Sequence, residues 1–352
     1  MRLKGVCYDV GTVMGMNWRP VFDPWVVRRE LEIIHHDLHC NAVRIGGHSL
    51  KRLAHATEAA LAEGLEVWFC PQLWDRTASR TVGYLARAAG MLESIRQRWP
   101  DRVVYSVGSE VSLFAKGIVP GSSFTARMNN PDLIAFVRSG QHRDSLNAFL
   151  TAAVSSVRQV YQGKISYASL IWEEVDWTPF DYVGVDHYRN RRIEDRYLEM
   201  LRPAFRFGKP VVITEFGHDT MEGGPLSEGF LSSAGLKPSV IDVRSQFFHQ
   251  IPLLGRFIRP HLVGRHVRNE ELQARKLAEQ LHILEAAGVD GCFVSTFLSQ
   301  ITPYDPDPQF DLDMASASLV RYLERAKGTT YPDMPWEPKA SFHAVAEFYR
   351  NH

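Results

Sequence analysis

The chain has 352 residues, of which 45% are hydrophobic and 23% charged, a composition typical of a globular protein with a large core. Its 40 basic residues balance 40 acidic ones, so the charge favours neither nucleic acid nor an anionic membrane surface as a partner. No apolar run has the length of a membrane span, and the first residues contain no signal-peptide-like apolar region. We therefore expect a cytoplasmic protein.

Strands and helices alternate along the chain. The pattern predicts eight strands, at about 3–8, 40–45, 65–70, 103–110, 165–172, 182–188, 210–217 and 289–297. It also predicts helices between them, at about 24–38, 50–63, 82–99, 145–161, 193–207, 277–287 and 342–349. This alternation, without any change of composition, predicts one (β/α)8 barrel, a TIM barrel, over 1–352. A doubly wound open sheet is the alternative fold.

The sequence gives no reason to expect a cofactor or a metal. The glycines at 11–15 do not form the dinucleotide-binding fingerprint, and no phosphate-binding loop of the Walker type occurs. The four cysteines fall in or at the start of predicted strands, without the paired spacing of a zinc site. We predict that they are buried free thiols, namely Cys7, Cys40, Cys70 and Cys292.

Two long segments interrupt the alternation, at about 111–143 after the fourth strand and about 218–265 after the seventh. Loops of this length are uncommon in compact domains unless they are functional or disordered. The second segment contains an apolar stretch at 247–254 and again at 257–258, too apolar for a disordered linker. We read it as a partly helical lid or pocket wall. An insertion that serves packing or forms a homo-oligomer is the alternative.

A glutamate ends each of the two strands that precede these segments. Glu110 closes the fourth strand and Glu215 closes the seventh. Carboxylates at the C-terminal ends of barrel strands lie where this fold keeps its chemistry, whereas a carboxylate in mid-strand would be a costly buried charge. The pair suggests an acid and a nucleophile that face one pocket. Two ordinary strand-end glutamates paired with nearby arginines are the alternative.

These strand ends resemble those of clan A of the retaining glycoside hydrolases, which are (β/α)8 barrels. Residues 214–217 are similar to the clan's nucleophile strand, and Ser109 with Glu110 is similar to its acid/base strand. Residues 186–188 look like the sixth-strand motif whose tyrosine, here Tyr188, hydrogen-bonds the nucleophile. Arg44 matches the second-strand arginine beneath that nucleophile. The whole pattern shows a weaker resemblance to a bacterial group known as abortive infection proteins.

The resemblance implies a retaining mechanism, with Glu215 as the nucleophile and Glu110 as the acid/base. Such enzymes need an ionised and a protonated carboxyl group about 5–5.5 Å apart. Arg44 and the hydroxyl of Tyr188 would favour ionised Glu215, while Glu110 would face a less cationic wall and keep its proton.

The chain departs from the clan at two positions. Ser109 stands where the clan usually has an asparagine that contacts the sugar 2-hydroxyl, and Phe297 stands where the eighth strand often ends in a tryptophan platform. Both departures point away from ordinary hexoside hydrolysis and favour a modified reaction.

Further residues near the strand ends are candidates for contact with a substrate. Trp172 and Trp74 could stack on sugar faces or simply pack, as could Trp177. His187 is a candidate for the pocket, with core packing as the alternative, and Asp9 and Asp75 could bind hydroxyl groups. Glu173 and Glu174 are expected to be a solvated pair in a loop. The residues predicted to bind the substrate are Arg44, Tyr188, His187, Trp172, Ser109, Trp74, Asp9 and Phe297.

Three functions follow from these observations. The first is a glycosidase-like enzyme that acts on a small glycosylated molecule by double displacement. The second is a pseudoglycosidase that uses the same carboxylates for a biosynthetic rearrangement, cyclisation or glycosyl transfer. The third is a non-catalytic sugar or metabolite sensor linked to phage defence, with the second long segment as its output.

Overall fold

A computed structural model of the chain describes residues 1–13, 15–229, 231–232, 235–236, 240–242, 244–245, 249 and 257–352. Eight parallel strands form a closed barrel in which neighbours in sequence are neighbours in space and the last strand pairs with the first. The strands are β1 (Leu3–Asp9), β2 (Ala42–Gly47), β3 (Glu66–Pro71), β4 (Val103–Ser109), β5 (Lys164–Leu170), β6 (Val183–Asp186), β7 (Val211–Phe216) and β8 (Gly291–Val294). The predicted (β/α)8 barrel is confirmed.

Helices lie between the strands and close the chain. They are α1 (Pro24–His36), α2 (Leu50–Ala62), α3 (Ala78–Arg96), α4 (Val111–Phe114), α5 (Phe124–Met128), α6 (Leu133–Arg138), α7 (His142–Arg158), α8 (Tyr197–Leu201), α9 (Pro225–Glu228), α10 (Glu270–Ala286) and α11 (Ala340–Asn351). Short 3₁₀ helices cover Glu194–Arg196, Arg202–Phe207 and Leu312–Ala315. Two-stranded pairs join Thr12–Val13 to Met16–Asn17, Leu231–Ser232 to Gly235–Leu236, and Val320–Tyr322 to Trp336–Pro338.

Local sequence signals explain the start of the first helix. The Asp23 side chain accepts a hydrogen bond from the Trp25 amide, and Pro24 occupies the first helical position, where its missing N–H costs nothing. The apolar residues that recur at helical spacing, including Val27, Leu31 and Ile34, are fully buried against the barrel.

The predicted helix over 193–207 is wrong in its extent. Only Tyr197–Leu201 is α-helical, and 3₁₀ turns flank it on both sides. Pro203 lies in the second 3₁₀ segment, where it has no amide to donate to an α-helical ladder. Strands β6 and β8 are also shorter than predicted, so that residues 187–188 and 295–297 lie beyond the strand ends.

An ion pair and a hydrogen bond hold the segment after β4 against the loop after β3. It contains α4, α5 and α6, and the fully buried guanidinium of Arg127 in α5 pairs with the Asp75 carboxylate. That carboxylate also accepts a hydrogen bond from the Phe124 amide at 3.1 Å. Asp75, a candidate for binding hydroxyl groups, thus serves to anchor this segment.

The apolar stretch on which the lid prediction rests, at 247–254, lies outside the described residues apart from His249, so the lid stays a prediction. Ile241, which precedes this stretch, forms an isolated antiparallel bridge with Leu262, which follows it. Among the described helices, none is long and apolar enough to cross a membrane.

The core has two layers. One layer fills the inside of the barrel near its N-terminal end and includes Trp68 and Phe293. A larger layer lies between the strands and the helices. All four cysteines are buried and free, as predicted, and two of them, Cys7 and Cys70, lie against Arg44.

Candidate active site

Irregular backbone brings both glutamates to the mouth of the barrel. Glu110 directly follows β4 and has a left-handed backbone (φ 45°), which is uncommon for a residue with a side chain. The pairing of β4 with β5 shifts register between Ser106 and Ser109, and the pairing of β6 with β7 shifts register before Asp186. Such irregularities re-aim side chains at the rims of barrels.

A cation and a hydroxyl group orient the side chain of Glu215. One oxygen lies 2.6 Å from a guanidinium nitrogen of Arg44, and the other accepts a hydrogen bond from the Tyr188 hydroxyl at 3.0 Å. The Arg44 side chain is only 3% exposed, whereas that of Glu215 is 21% exposed. The carboxylate is therefore oriented from within the barrel and open toward the mouth.

Glu110 is half-buried and has mostly acidic neighbours. Burial first, and then the negative charges of Asp186, Glu215 and Glu173, raise the pKa of Glu110 well above its usual value, against the influence of Arg44. These surroundings keep the carboxyl group protonated at a pH at which an ordinary glutamate is ionised.

Asp186 is a third carboxylate between the two glutamates. It ends β6, pairs in register with Glu215, and is almost fully buried. One of its oxygens accepts a hydrogen bond from the Thr214 hydroxyl at 2.6 Å, and the other accepts one from Ser109 at 3.3 Å. The sequence indicated this residue only as part of the sixth-strand motif, because the predicted strand continued to residue 188, whereas the strand ends at Asp186.

Asp9 lies at the end of β1 on the same face. Burial and the charge of Glu215 raise the pKa of Asp9 to about 7, while Arg44, Arg19 and a hydrogen bond with Thr296 act in the opposite direction. Asp9 therefore belongs to the acidic group around Glu215 at the mouth of the barrel.

Glu173 is a buried support for the Glu110 segment, and its prediction as a solvated loop charge is wrong. Its carboxylate accepts hydrogen bonds from the Tyr167 hydroxyl at 2.8 Å and from the Ser112 and Leu170 amides, both at 3.0 Å. The Tyr167 hydroxyl in turn accepts from the Val111 amide at 2.8 Å. These bonds fix the backbone immediately after Glu110. The neighbouring Glu174 is exposed, as predicted, and pairs with an arginine.

Two residues predicted to contact the substrate lie in the core instead. The ring of His187 stacks on Tyr197 with centroids 4.0 Å apart, and burial lowers the pKa of this histidine to about 4. Phe297 has no exposed surface and packs against Tyr8 and Trp336. Both follow strands that end earlier than predicted, so the chain has already turned into the layer between barrel and helices. Neither offers a surface to a sugar.

The predicted tryptophans have mixed positions. Trp74 and Trp172 are both half-buried, and Trp74 packs on Phe114 with ring centroids 3.7 Å apart. Trp172 meets the His142 ring edge-on at 5.4 Å. Trp177 is buried, so packing is its role. For Trp74 and Trp172, contact with a sugar stays a prediction.

A group that could hold a metal ion lies elsewhere in the described part of the chain. The ligand atoms of His282, Glu285 and His352 are all within 4.8 Å of one another. Glu285 also lies 3.7 Å from the amino group of Met1, next to the start of β1, so this cluster is at the opposite end of the barrel from the glutamates.

Comparison with solved structures supports the barrel assignment. No family model and no curated protein matches the sequence. A GH113 β-1,4-mannanase is similar in structure, with 14% identity, coverage of 99% of each chain and a TM-score of 0.59. The GH113 β-mannanase AaManA from Alicyclobacillus acidocaldarius is similar at 14% identity, coverage of 99% of this chain and 97% of that chain, and a TM-score of 0.56.

A β-glucuronidase from an uncultured Clostridium is also similar, at 13% identity and a TM-score of 0.57. All of this chain is covered, but only 50% of the glucuronidase chain. The resemblance to the TIM-barrel glycosidases of clan A is thus confirmed for the fold alone: the chain has the same kind of (β/α)8 barrel. The resemblance to abortive infection proteins stays a prediction.

Proposed function

We propose that the chain is a glycosidase-like enzyme that acts on a small glycosylated molecule by a retaining double displacement. The observation that carries this proposal is the contrast between two carboxyl groups at one barrel mouth. Glu215 meets a guanidinium and a hydroxyl donor, whereas Glu110 meets three acidic side chains. A retaining glycosidase requires this division between an ionised and a protonated group.

In the first step, Glu215 attacks the anomeric carbon and Glu110 gives its proton to the departing oxygen. Formation of the glycosyl ester removes the negative charge of Glu215. Because that charge is one of those that raise the pKa of Glu110, the acid becomes a stronger one in the intermediate and can then serve as a base. In the second step, Glu110 takes a proton from water as the water oxygen attacks the anomeric carbon, which breaks the ester bond to Glu215 and releases the sugar with its original anomeric configuration.

The test is hydrolysis of a panel of aryl glycosides by purified protein. We expect release of the aryl group from at least one member, with retention at the anomeric carbon, and a loss of at least about 10³-fold in Glu215→Gln. A matched variant, Glu174→Gln, changes an exposed glutamate of the same mouth and should keep full activity. Turnover by Glu215→Gln at the rate of the unchanged protein would refute the assignment.

A pseudoglycosidase reaction is the second candidate, and one observation favours it. Ser109 replaces the asparagine implied by the resemblance, and its hydroxyl is engaged with Asp186. Phe297 is likewise in the core, so the eighth strand provides no platform through this residue. This candidate predicts the same essential glutamates but slow hydrolysis throughout the glycoside panel, and hydrolysis at ordinary enzyme rates would exclude it. The predicted small-molecule glycoside partner and cytoplasmic location are part of these proposals.

A further inference from the structure

One buried carboxylate connects the two strands that carry the glutamates. Thr214 immediately precedes Glu215, and Ser109 immediately precedes Glu110. Both hydroxyl groups donate to Asp186, one to each of its oxygens, at 2.6 and 3.3 Å. All three side chains are at least nine-tenths buried, so water does not compete for these bonds.

Both oxygens of Asp186 are therefore engaged by hydroxyl donors. Burial first, and then the charge of Glu215, raise the pKa of Asp186 well above its usual value, whereas Arg44 and the two hydrogen bonds act in the opposite direction.

We propose that Asp186 is a positioning residue that sets the separation of Glu110 and Glu215 by binding the residue that precedes each of them. This inference rests on the function proposed above and names a part of the same site. β5 lies between β4 and β6, so the backbone ladder does not join β6 to β4 directly. The Asp186 side chain supplies that connection across the barrel mouth.

The separation matters because the distance between the carboxyl groups decides which reaction occurs. A retaining site needs them about 5–5.5 Å apart, and an inverting site needs more room for a water molecule. A displacement of about 1 Å can reduce a rate by about 100-fold. Hydrogen bonds from the residues that precede both glutamates to the shared Asp186 would keep that distance constant while the substrate changes charge and shape.

A double-mutant cycle tests whether Ser109 and Thr214 act through their shared bonds to Asp186. Ser109→Ala and Thr214→Val each remove one bond, and each should lower kcat by about 10-fold with KM changed less than about 2-fold. In an Asp186→Ala background each should have almost no further effect, because the shared acceptor is gone. Ser169→Ala is the control, since it deletes a buried hydroxyl on β5 that donates to the Leu170 carbonyl instead. Full additivity of the losses would overturn the proposal.

A second measurement does not depend on activity. The carboxyl carbon of Glu110, assigned by its loss in Glu110→Gln, is titrated by ¹³C NMR in the unchanged protein and in Asp186→Asn. The groups that face Glu110 are Asp186, Glu215, Glu173 and Arg44, and this variant replaces the carboxyl group of Asp186 by a neutral amide. The pKa of Glu110 should fall by about one unit or more, and the high-pH limb of kcat/KM should move with it.

The outcomes separate the two proposals. If no glycoside is turned over by the unchanged protein, the proposed function fails, and the NMR titration still decides whether Asp186 acts on Glu110. If the protein is active but the losses in the double-mutant cycle are fully additive, the positioning role is refuted; if Asp186→Asn leaves both the titration of Glu110 and the pH profile unchanged, Asp186 has no electrostatic effect on Glu110. A folded variant with normal thermal stability is required in either case, and Ser109→Ala supplies a milder change if Asp186→Ala does not fold.

Discussion

Glu110 and Glu215 end strands of the same barrel, yet the two sides of the mouth differ in charge. On the β7 side, Arg44 and Tyr188 both donate to the Glu215 carboxylate. On the β4 side, Asp186 and Glu173 surround Glu110 with negative charge. Identical side chains thus have opposite electrostatic surroundings, and the roles proposed for the two glutamates depend on the residues that create this contrast.

The two sides also differ in how they are held. Arg44 reaches Glu215 from inside the barrel and contacts the thiol of Cys70 at 3.3 Å, so the proposed nucleophile lies against a buried cation. The Glu110 side rests on the loop after β5, where Glu173 binds the amides around the start of α4. A rigid inner support suits a nucleophile that must hit one atom. A supported loop suits a group that exchanges protons with two different partners.

Replacement of Glu110, the proposed acid, should have the largest effect on activity. Glu110→Ala should slow glycosides with poor leaving groups by about 10³-fold or more, since the departing oxygen then receives no proton. Substrates with activated aryl groups should be slowed far less in the first step, and azide should restore the second step. The check is a comparison of rates over a series of leaving groups. Equal losses for good and poor leaving groups, with no azide effect, would show that Glu110 is not the acid/base.

Removal of the cation should have the next largest effect. Arg44→Met keeps the length of the side chain but deletes the charge beside Glu215, and kcat should fall by about 100-fold. Arg44→Lys, which keeps a charge but not the forked geometry, should recover only part of this loss. Thermal unfolding of both variants controls for folding. If Arg44→Met retained full activity, the nucleophile would not depend on this ion pair.

Tyr188→Phe should have a smaller effect. It removes the hydrogen bond to Glu215 at 3.0 Å but leaves the ring and the ion pair with Arg44 in place. A hydrogen bond from a neutral hydroxyl group to a charged carboxylate contributes about 1.5–3 kcal/mol, so kcat should fall by about 10- to 100-fold. Steady-state kinetics on an activated glycoside measure this, and Tyr182→Phe, which changes a hydroxyl at the opposite end of the barrel, is the control. An unchanged kcat would mean that the hydroxyl does not act on the nucleophile.

The smallest expected effect concerns stability and pH. Because the pKa of Asp9 is raised to about 7, the folded protein keeps this group neutral at a pH at which the unfolded chain ionises it. The favourable contribution is present below about pH 4 and is lost as the pH rises to about 7. Asp9→Asn should therefore gain free energy of unfolding relative to the unchanged protein, by roughly 2–3 kcal/mol more at pH 8 than at pH 5. Urea unfolding at both values tests this, and a constant difference would refute it.

Much of the contrast could be predicted from the sequence because strand ends are local features. Short β-branched runs identified β4 and β7, and the resemblance of their ends implied the contacts of Arg44 and Tyr188 with Glu215, which the structure contains. The barrel also followed from the alternation of strands and helices. These features depend on a few adjacent residues and on the geometry common to all parallel barrels.

The acidic surroundings of Glu110 depend on features that the periodicity of the sequence does not show. Asp186 contacts Ser109 and Thr214 next to two register shifts, which alternation along a strand does not predict. Glu173 is buried because the loop after β5 folds back, so that its carboxylate meets the hydroxyl of Tyr167, six residues earlier. His187 and Phe297 were misplaced because alternation predicts the direction of a side chain only within a strand, and both lie beyond one.

Covalent trapping tests the central claim most directly. The protein is incubated with activated 2-deoxy-2-fluoro analogues of those glycosides that it hydrolyses, and its peptides are analysed by mass spectrometry. The account predicts one added sugar on the peptide that contains Glu215, and none in Glu215→Gln. A sugar attached to Glu110 or to any other residue, or no adduct in a protein that hydrolyses the parent glycoside with retention, would contradict it.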